Sequence, residues 1–207
     1  MTEQQLREEM VQIGASLFSR GYCHRLRWQS VAAAAGRQPA GDADRRLPRR
    51  TAGSAVVGGD AARGMDLRRQ TVERGHFFTG RSYLHNPACK AIVHLHSHYL
   101  TALSCLQGLD PHNCIRPFTP YVVMRVGDVP VVPYYRPGDD RIAQALAGLA
   151  PRYNAFLLAN HGPVVTGSSL REATNNTEEL EETARLIFTL GNREIRYLTA
   201  DEVKELR

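Results

Sequence analysis

Leu6, Met10, Ile13 and Leu17 recur at spacings of three and four, which predicts an opening helix with one apolar face. Thr2 with Gln5 three residues on offers a capping-box start, and Gly21 a stop. From Cys23 to about Ser82 the pattern fails: the run is polar and rich in Gly and Ala, with isolated Val and Leu and no helical or strand period. Order returns at Tyr83. Lys90 to His96 alternates as a strand that puts Ile92, His94 and His96 on one face. A helix follows from His98 to Leu106, then short strands at Tyr121 to Met124 and Val129 to Pro133, with turns at Gly127-Asp128 and Pro137-Gly138-Asp139. Arg141 to Leu149 reads as a helix, and Ala155 to Ala159 as a buried strand whose exit is Asn160-His161-Gly162. The last long helix has Ser169 and Glu172 as its cap, turns Leu180, Ala184, Ile187 and Leu190 inward and stops at Gly191. The tail from Asn192 to Arg207 reads as a short strand and a final helical turn.

A chain of 207 residues suits one α/β domain spanning 1–207. No apolar run approaches the roughly 20 residues of a membrane span, and Met1 to Gln5 lacks a signal-peptide pattern, so the expectation is a cytoplasmic protein with no membrane partner. Cys23, Cys89, Cys105 and Cys114 form no CxxC pair and are expected as reduced thiols. The net charge of +5 is concentrated between His24 and Arg69, which contains no Lys, Glu, Ile, Phe, Tyr or Asn. Nucleic-acid-binding arms mix Lys and aromatics with Arg, so no nucleic-acid partner is expected.

The chemistry lies in His94 and His96, two apart on one strand face, and in His161 at the end of a distant apolar strand. Catalytic zinc takes imidazole nitrogens from rigid elements and keeps one position open, which makes these three a candidate metal site. His98 continues the alternation where the strand should already be turning, and is not expected to be a ligand. His24, His76, His85 and His112 lack comparable context and are expected at the surface.

The sequence Val93-His94-Leu95-His96-Ser97, then Ala159-Asn160-His161-Gly162, then the acidic helix Glu178-Glu179-Leu180-Glu181-Glu182-Thr183-Ala184 resembles the class II aldolase/adducin family. The resemblance covers the first helix and everything after about Tyr83. Pro117 to Arg125 and Val132 to Asp139 are similar to the branch that decarboxylates 3-oxo-tetronate 4-phosphates. It implies a three-layer α/β/α fold with a mixed, mostly antiparallel sheet. It also implies one zinc ion (Zn2+) per subunit on His94, His96 and His161, and a homotetramer with sites at subunit boundaries. The implied substrate is a small phosphorylated sugar acid, decarboxylated to dihydroxyacetone phosphate. Tyr121 matches a family tyrosine that reaches a neighbouring subunit's site, a catalytic role for which a packed strand tyrosine is the alternative. Tyr134, Tyr135 and Arg136 could line the same cleft or simply form a turn. The competing functions are a fuculose- or ribulose-phosphate type aldolase and a non-catalytic adducin-like or remnant protein.

The family's phosphate loop of the form TGSAGNLS and its SKE motif, whose Glu is an acid/base, do not occur in this chain. Both belong where the pattern fails. Cys23 to Val31 written as TGC CAC CGG CTC CGC TGG CAA TCT GTC G and read one nucleotide later gives ATGSAGNLS. With permissible codon choices the same offset permits GNLLATPTGACLG from Arg37 to Arg50 and KPSKEV from Gln70 to His76. A shifted frame over roughly Cys23 to Ser82 accounts for all three. As written, the chain would then lack the phosphate loop, the acid/base Glu and an N-terminal strand pair, leaving a sheet edge exposed and activity impaired. Glu73 lies out of register with the hidden Glu and is not expected to replace it.

Overall fold

The computed structural model describes residues 3–22, 28–33, 54–57, 86 and 88–207. Helix α1 (Glu3–Ser19) forms as the spacing predicts, burying Met10 and Leu17. It closes in a Schellman arrangement, with Tyr22 N–H donating to the Leu17 carbonyl at 2.9 Å, Gly21 N–H to Phe18 at 3.0 Å, and Gly21 at φ +78°. The Thr2 cap lies outside the described residues.

Strands β1 (Trp28–Ala33), β2 (Ser54–Val57), β3 (Ala91–Leu95), β4 (Val131–Val132), β5 (Ala155–Leu158) and β6 (Gly162–Gly167) form one sheet in the order β2-β1-β3-β6-β5-β4. Among the described residues every pairing is antiparallel except β4 with β5, which is parallel. Helices α2 (His98–Ser104), α3 (Pro120–Arg125), α4 (Asp140–Leu149), α5 (Leu170–Leu190) and α6 (Ala200–Glu205) complete the described elements.

Side-chain alternation divides the core into two layers. Ala91, Val93 and Leu95 of β3 pack on Met10 and Leu17 of α1, while Ala155, Leu157 and Val165 pack on Leu100, Leu103, Leu180 and Ala184 of α2 and α5. On the opposite face Ile92, Val164, Phe156 and Leu158 meet Ile142 and Leu146 of α4. The fold is therefore the three-layer α/β/α arrangement with a mixed, mostly antiparallel sheet. Burying an aliphatic or aromatic side chain of this size stabilises by about 1.5–3 kcal/mol.

Four expectations change. The run 23–82 contains β1 and β2, so the β3 edge is paired and not exposed: Trp28 to Ala32 stand opposite Leu95 to Ala91. An open strand edge offers backbone donors and acceptors to any neighbouring chain that lacks Pro there, whatever its side-chain period. Tyr121 to Met124 is helical, because extended Thr119 precedes Pro120 at the first helical position, where a missing N–H costs nothing. β6 has Gly at both ends and Pro163 inside it, composition that hid its strand pattern. Residues 192–199 form no strand, and α6 instead starts from a capping box of Thr199 and Glu202.

Candidate metal centre

β3 and β6 are antiparallel neighbours, with His94 opposite Val164, so the exit of β3 lies beside the entry of β6. The first carries His94 and His96 and the second is preceded by His161. The three ligand nitrogens all lie within 4.8 Å of one another. Ring centroids are 5.1 Å apart for His94 and His96, 4.9 Å for His94 and His161, and 4.7 Å for His96 and His161.

His94 is 6% exposed and its Nδ1 lies 2.7 Å from the Pro163 carbonyl, an acceptor that assigns the proton to Nδ1 and the lone pair to Nε2. Burial and the facing His161 push its pKa down to about 3, against the carbonyl contact, so the ring is neutral, which is the ligand form. Three imidazoles from two rigid strand ends, one of them oriented through its other nitrogen by a carbonyl, fit a single divalent metal.

The turn that carries His161 is tightly held. Asn160 adopts φ +56°, and its N–H donates to the Ser104 carbonyl at 2.9 Å. The Ser104 hydroxyl accepts His161 N–H at 3.1 Å and donates to the Thr101 carbonyl at 2.6 Å, while Thr101 Oγ1 donates to the His161 carbonyl at 3.4 Å. Gly162 sits at φ +147°, and a Cβ there would lie 2.7 Å from the Leu95 carbonyl oxygen. Gly162→Ala is therefore expected to cost about 1–3 kcal/mol in urea unfolding, from backbone strain and the forced separation of the two histidine-bearing ends. Wild-type stability in that variant would disprove the close approach.

Tyr121 lies on α3 and is 58% exposed. Tyr134 is exposed, whereas Tyr135 packs on the α4 layer with the Arg141 guanidinium 4.8 Å from its ring centre, a structural role. Arg136 is exposed beside Pro137. His98 is exposed against Tyr99, outside the cluster, and His112 is exposed. Glu73, His24, His76 and His85 lie outside the described residues. Ser97, Thr101, Ser104 and Glu181 support the site and were not singled out by sequence reasoning, since none carries a spacing signal of its own.

The profile of the class II aldolase and adducin N-terminal domain matches residues 57–188. A 3-oxo-tetronate 4-phosphate decarboxylase of Escherichia coli (strain K12) is 56% identical over 212 residues, covering 99% of this chain and 96% of the relative. One from Pectobacterium atrosepticum is 54% identical over 216 residues, covering 99% and 94%. The crystal structure of YgbL from Klebsiella pneumoniae superposes with a TM-score of 0.82 at 68% identity over 100% of both chains.

Proposed function

Because this chain belongs to the class II aldolase and adducin family, we propose that it is a metal-dependent carbon–carbon lyase that decarboxylates a 3-oxo-tetronate 4-phosphate to dihydroxyacetone phosphate and carbon dioxide. The observation that carries this reading is the three-imidazole cluster in a chain whose relatives of that activity match it nearly end to end.

His94, His96 and His161 are the residues that would hold the ion, zinc in this reading and one per subunit. A divalent cation bound there supplies a Lewis acid for the negative charge that develops on the substrate ketone as the carboxylate leaves. In the reaction the bond from C2 to the carboxyl carbon breaks, its electron pair delocalises toward the ketone, and a proton adds to C2. The chain's own contribution is position: His94 is fixed by Pro163, and His161 by Ser104 and Thr101.

Tyr121 is proposed to act in the site of a neighbouring subunit of a homotetramer. In support, Tyr121 and Met124 on the short helix α3 are both large and 58% exposed, an uncovered surface that a partner subunit would cover. No described helix is long and apolar enough to cross a membrane.

The chain is further proposed to be one domain with a shifted frame over roughly 23–82. In support, the Escherichia coli relative covers 99% of this chain and is itself covered to 96%, so the two chains are of similar length, as a shifted frame would leave them and a long added arm would not. Missing from that segment are the loop that would hold the phosphate through backbone N–H groups and the Glu that would move the proton.

Product analysis tests the activity against the aldolase alternative. The expected result is one carbon dioxide released per dihydroxyacetone phosphate formed from a 3-oxo-tetronate 4-phosphate. Cleavage of a ketose 1-phosphate to dihydroxyacetone phosphate and an aldehyde, with no carbon dioxide from the oxo acid, would replace this reading by the aldolase. An adducin-like scaffold has no need of three clustered histidines, and all three are kept.

A further inference from the structure

Glu181, on α5, is the buried acid of the run Glu178-Glu179-Leu180-Glu181-Glu182, at 4% exposure. Glu178 and Glu182 face α1 and its exit, pairing with Arg20 and Tyr22. Glu181 instead reaches the start of α2. Its Oε2 accepts the Ser97 hydroxyl at 2.6 Å and Leu100 N–H at 2.9 Å, and its Oε1 accepts Tyr99 N–H at 2.7 Å.

A helix start leaves N–H groups that need acceptors, normally supplied by the N-cap side chain. Ser97 occupies that position in extended conformation, yet its side chain caps nothing. The acceptors come from another helix. A buried carboxylate is expensive to keep unless its bonds are all made, and here they fix one register of α2 against α5.

That register bears on the histidines at both ends of α2. Ser97 directly follows His96, so the carboxylate pins the residue next to one ligand. One and two turns on, Thr101 and Ser104 hold the backbone of Asn160 and His161. We propose that Glu181 is a positioning residue of the metal centre, setting the separation of His96 and His161 through α2. The inference rests on reading the three histidines as a metal site.

The test uses the full chain stripped with chelator and titrated with Co2+ alone, reading its visible absorption and its affinity by chelator competition, beside the melting temperature of the metal-free protein. Glu181→Gln keeps the shape but turns amide hydrogens toward N–H donors, and is expected to weaken Co2+ binding roughly tenfold or more and to alter the spectrum. Ser97→Ala, which removes one of three bonds, should weaken it less. Thr177→Val is the control, since it removes a buried 2.7 Å bond to the Ala173 carbonyl on the same helix and none of the three bonds that Glu181 makes to 97–100; its Co2+ affinity should stay at wild type. The proposal is overturned if Glu181→Gln and Ser97→Ala bind like wild type, or if Thr177→Val loses as much affinity for the same fall in melting temperature. Should Glu181→Gln fail to fold, Ser97→Ala against Thr177→Val decides. Wild type that binds no Co2+, or binds it as well after His161→Ala, would remove the metal reading itself and the proposal with it. Wild-type binding lost on His161→Ala but intact in Glu181→Gln removes the proposal alone.

Discussion

A gene in which the frame is moved by one nucleotide across the codons for Cys23 to His76, and restored between Phe77 and Ser82, is expected to encode a protein that releases carbon dioxide about 10²–10⁴-fold faster than the chain as written. The estimate counts only the recovered acid/base Glu. The recovered phosphate loop should add to it at low substrate, because a phosphate held by several backbone N–H groups is lost from the binding energy when those groups are elsewhere. The two proteins should therefore differ in KM as well as kcat. The measurement is steady-state carbon dioxide release by both proteins, made alongside the DNA sequence across the codons for Tyr22 to Leu84. An unbroken genomic frame encoding the written residues, together with equal rates, would show that the Arg-rich stretch is native and that the acid/base group lies elsewhere. The written chain should still bind a divalent metal, since His94, His96 and His161 all lie outside residues 23–82. That separation between binding and turnover is what distinguishes a frame error from a lost metal site.

How much of this was legible in the sequence depends on where the determining forces are local. The faces of α1, α4 and α5 follow from side-chain period, and their caps from short-range side-chain to backbone bonds such as Ser169 Oγ accepting Glu172 N–H at 3.1 Å. β3 reads as a strand from the alternation of Lys90 to His96 and β5 from its apolar run, and the structure buries every residue of both. The convergence of His161 on His94 and His96 was not readable from spacing alone; it follows from β6 lying between β3 and β5, and β6 is the strand whose Gly and Pro content concealed it. The pairing of β1 with β3 was hidden for another reason, since ladder bonds are made by the backbone and leave no mark on the side-chain pattern. The support of the site was the least legible part. Glu181 sits in a run of acids that reads as a solvated helix face, and only the packing of α5 against α2 turns that one carboxylate inward. For Tyr121 the helical start at Pro120 replaces the packed strand position and leaves the side chain exposed.

His161→Ala in the frame-restored protein is expected to lower carbon dioxide release about 10³-fold or more, because a Lewis acid contributes several kcal/mol of charge stabilisation and each tenfold is about 1.4 kcal/mol. The loss should be chemical and not structural. The turn at 160–162 is held by backbone groups and by Ser104 and Thr101, none of which the substitution removes, so the metal-free variant should melt close to the metal-free wild type. His94→Ala makes the contrast. It strips the same metal but also leaves a cavity and a Pro163 carbonyl without its ring donor, which costs about 1–3 kcal/mol of folding stability in addition. Chelator treatment of the restored wild type should abolish turnover, and Zn2+ or Co2+ should restore it, while neither ion rescues His161→Ala. The three readouts separate the roles: activity and metal content fall together in both variants, and metal-free stability falls only in His94→Ala. Full activity after exhaustive chelation, or a His161→Ala variant that keeps one metal and wild-type turnover, would mean that the three imidazoles are packed for another purpose and that the negative charge is stabilised by other groups.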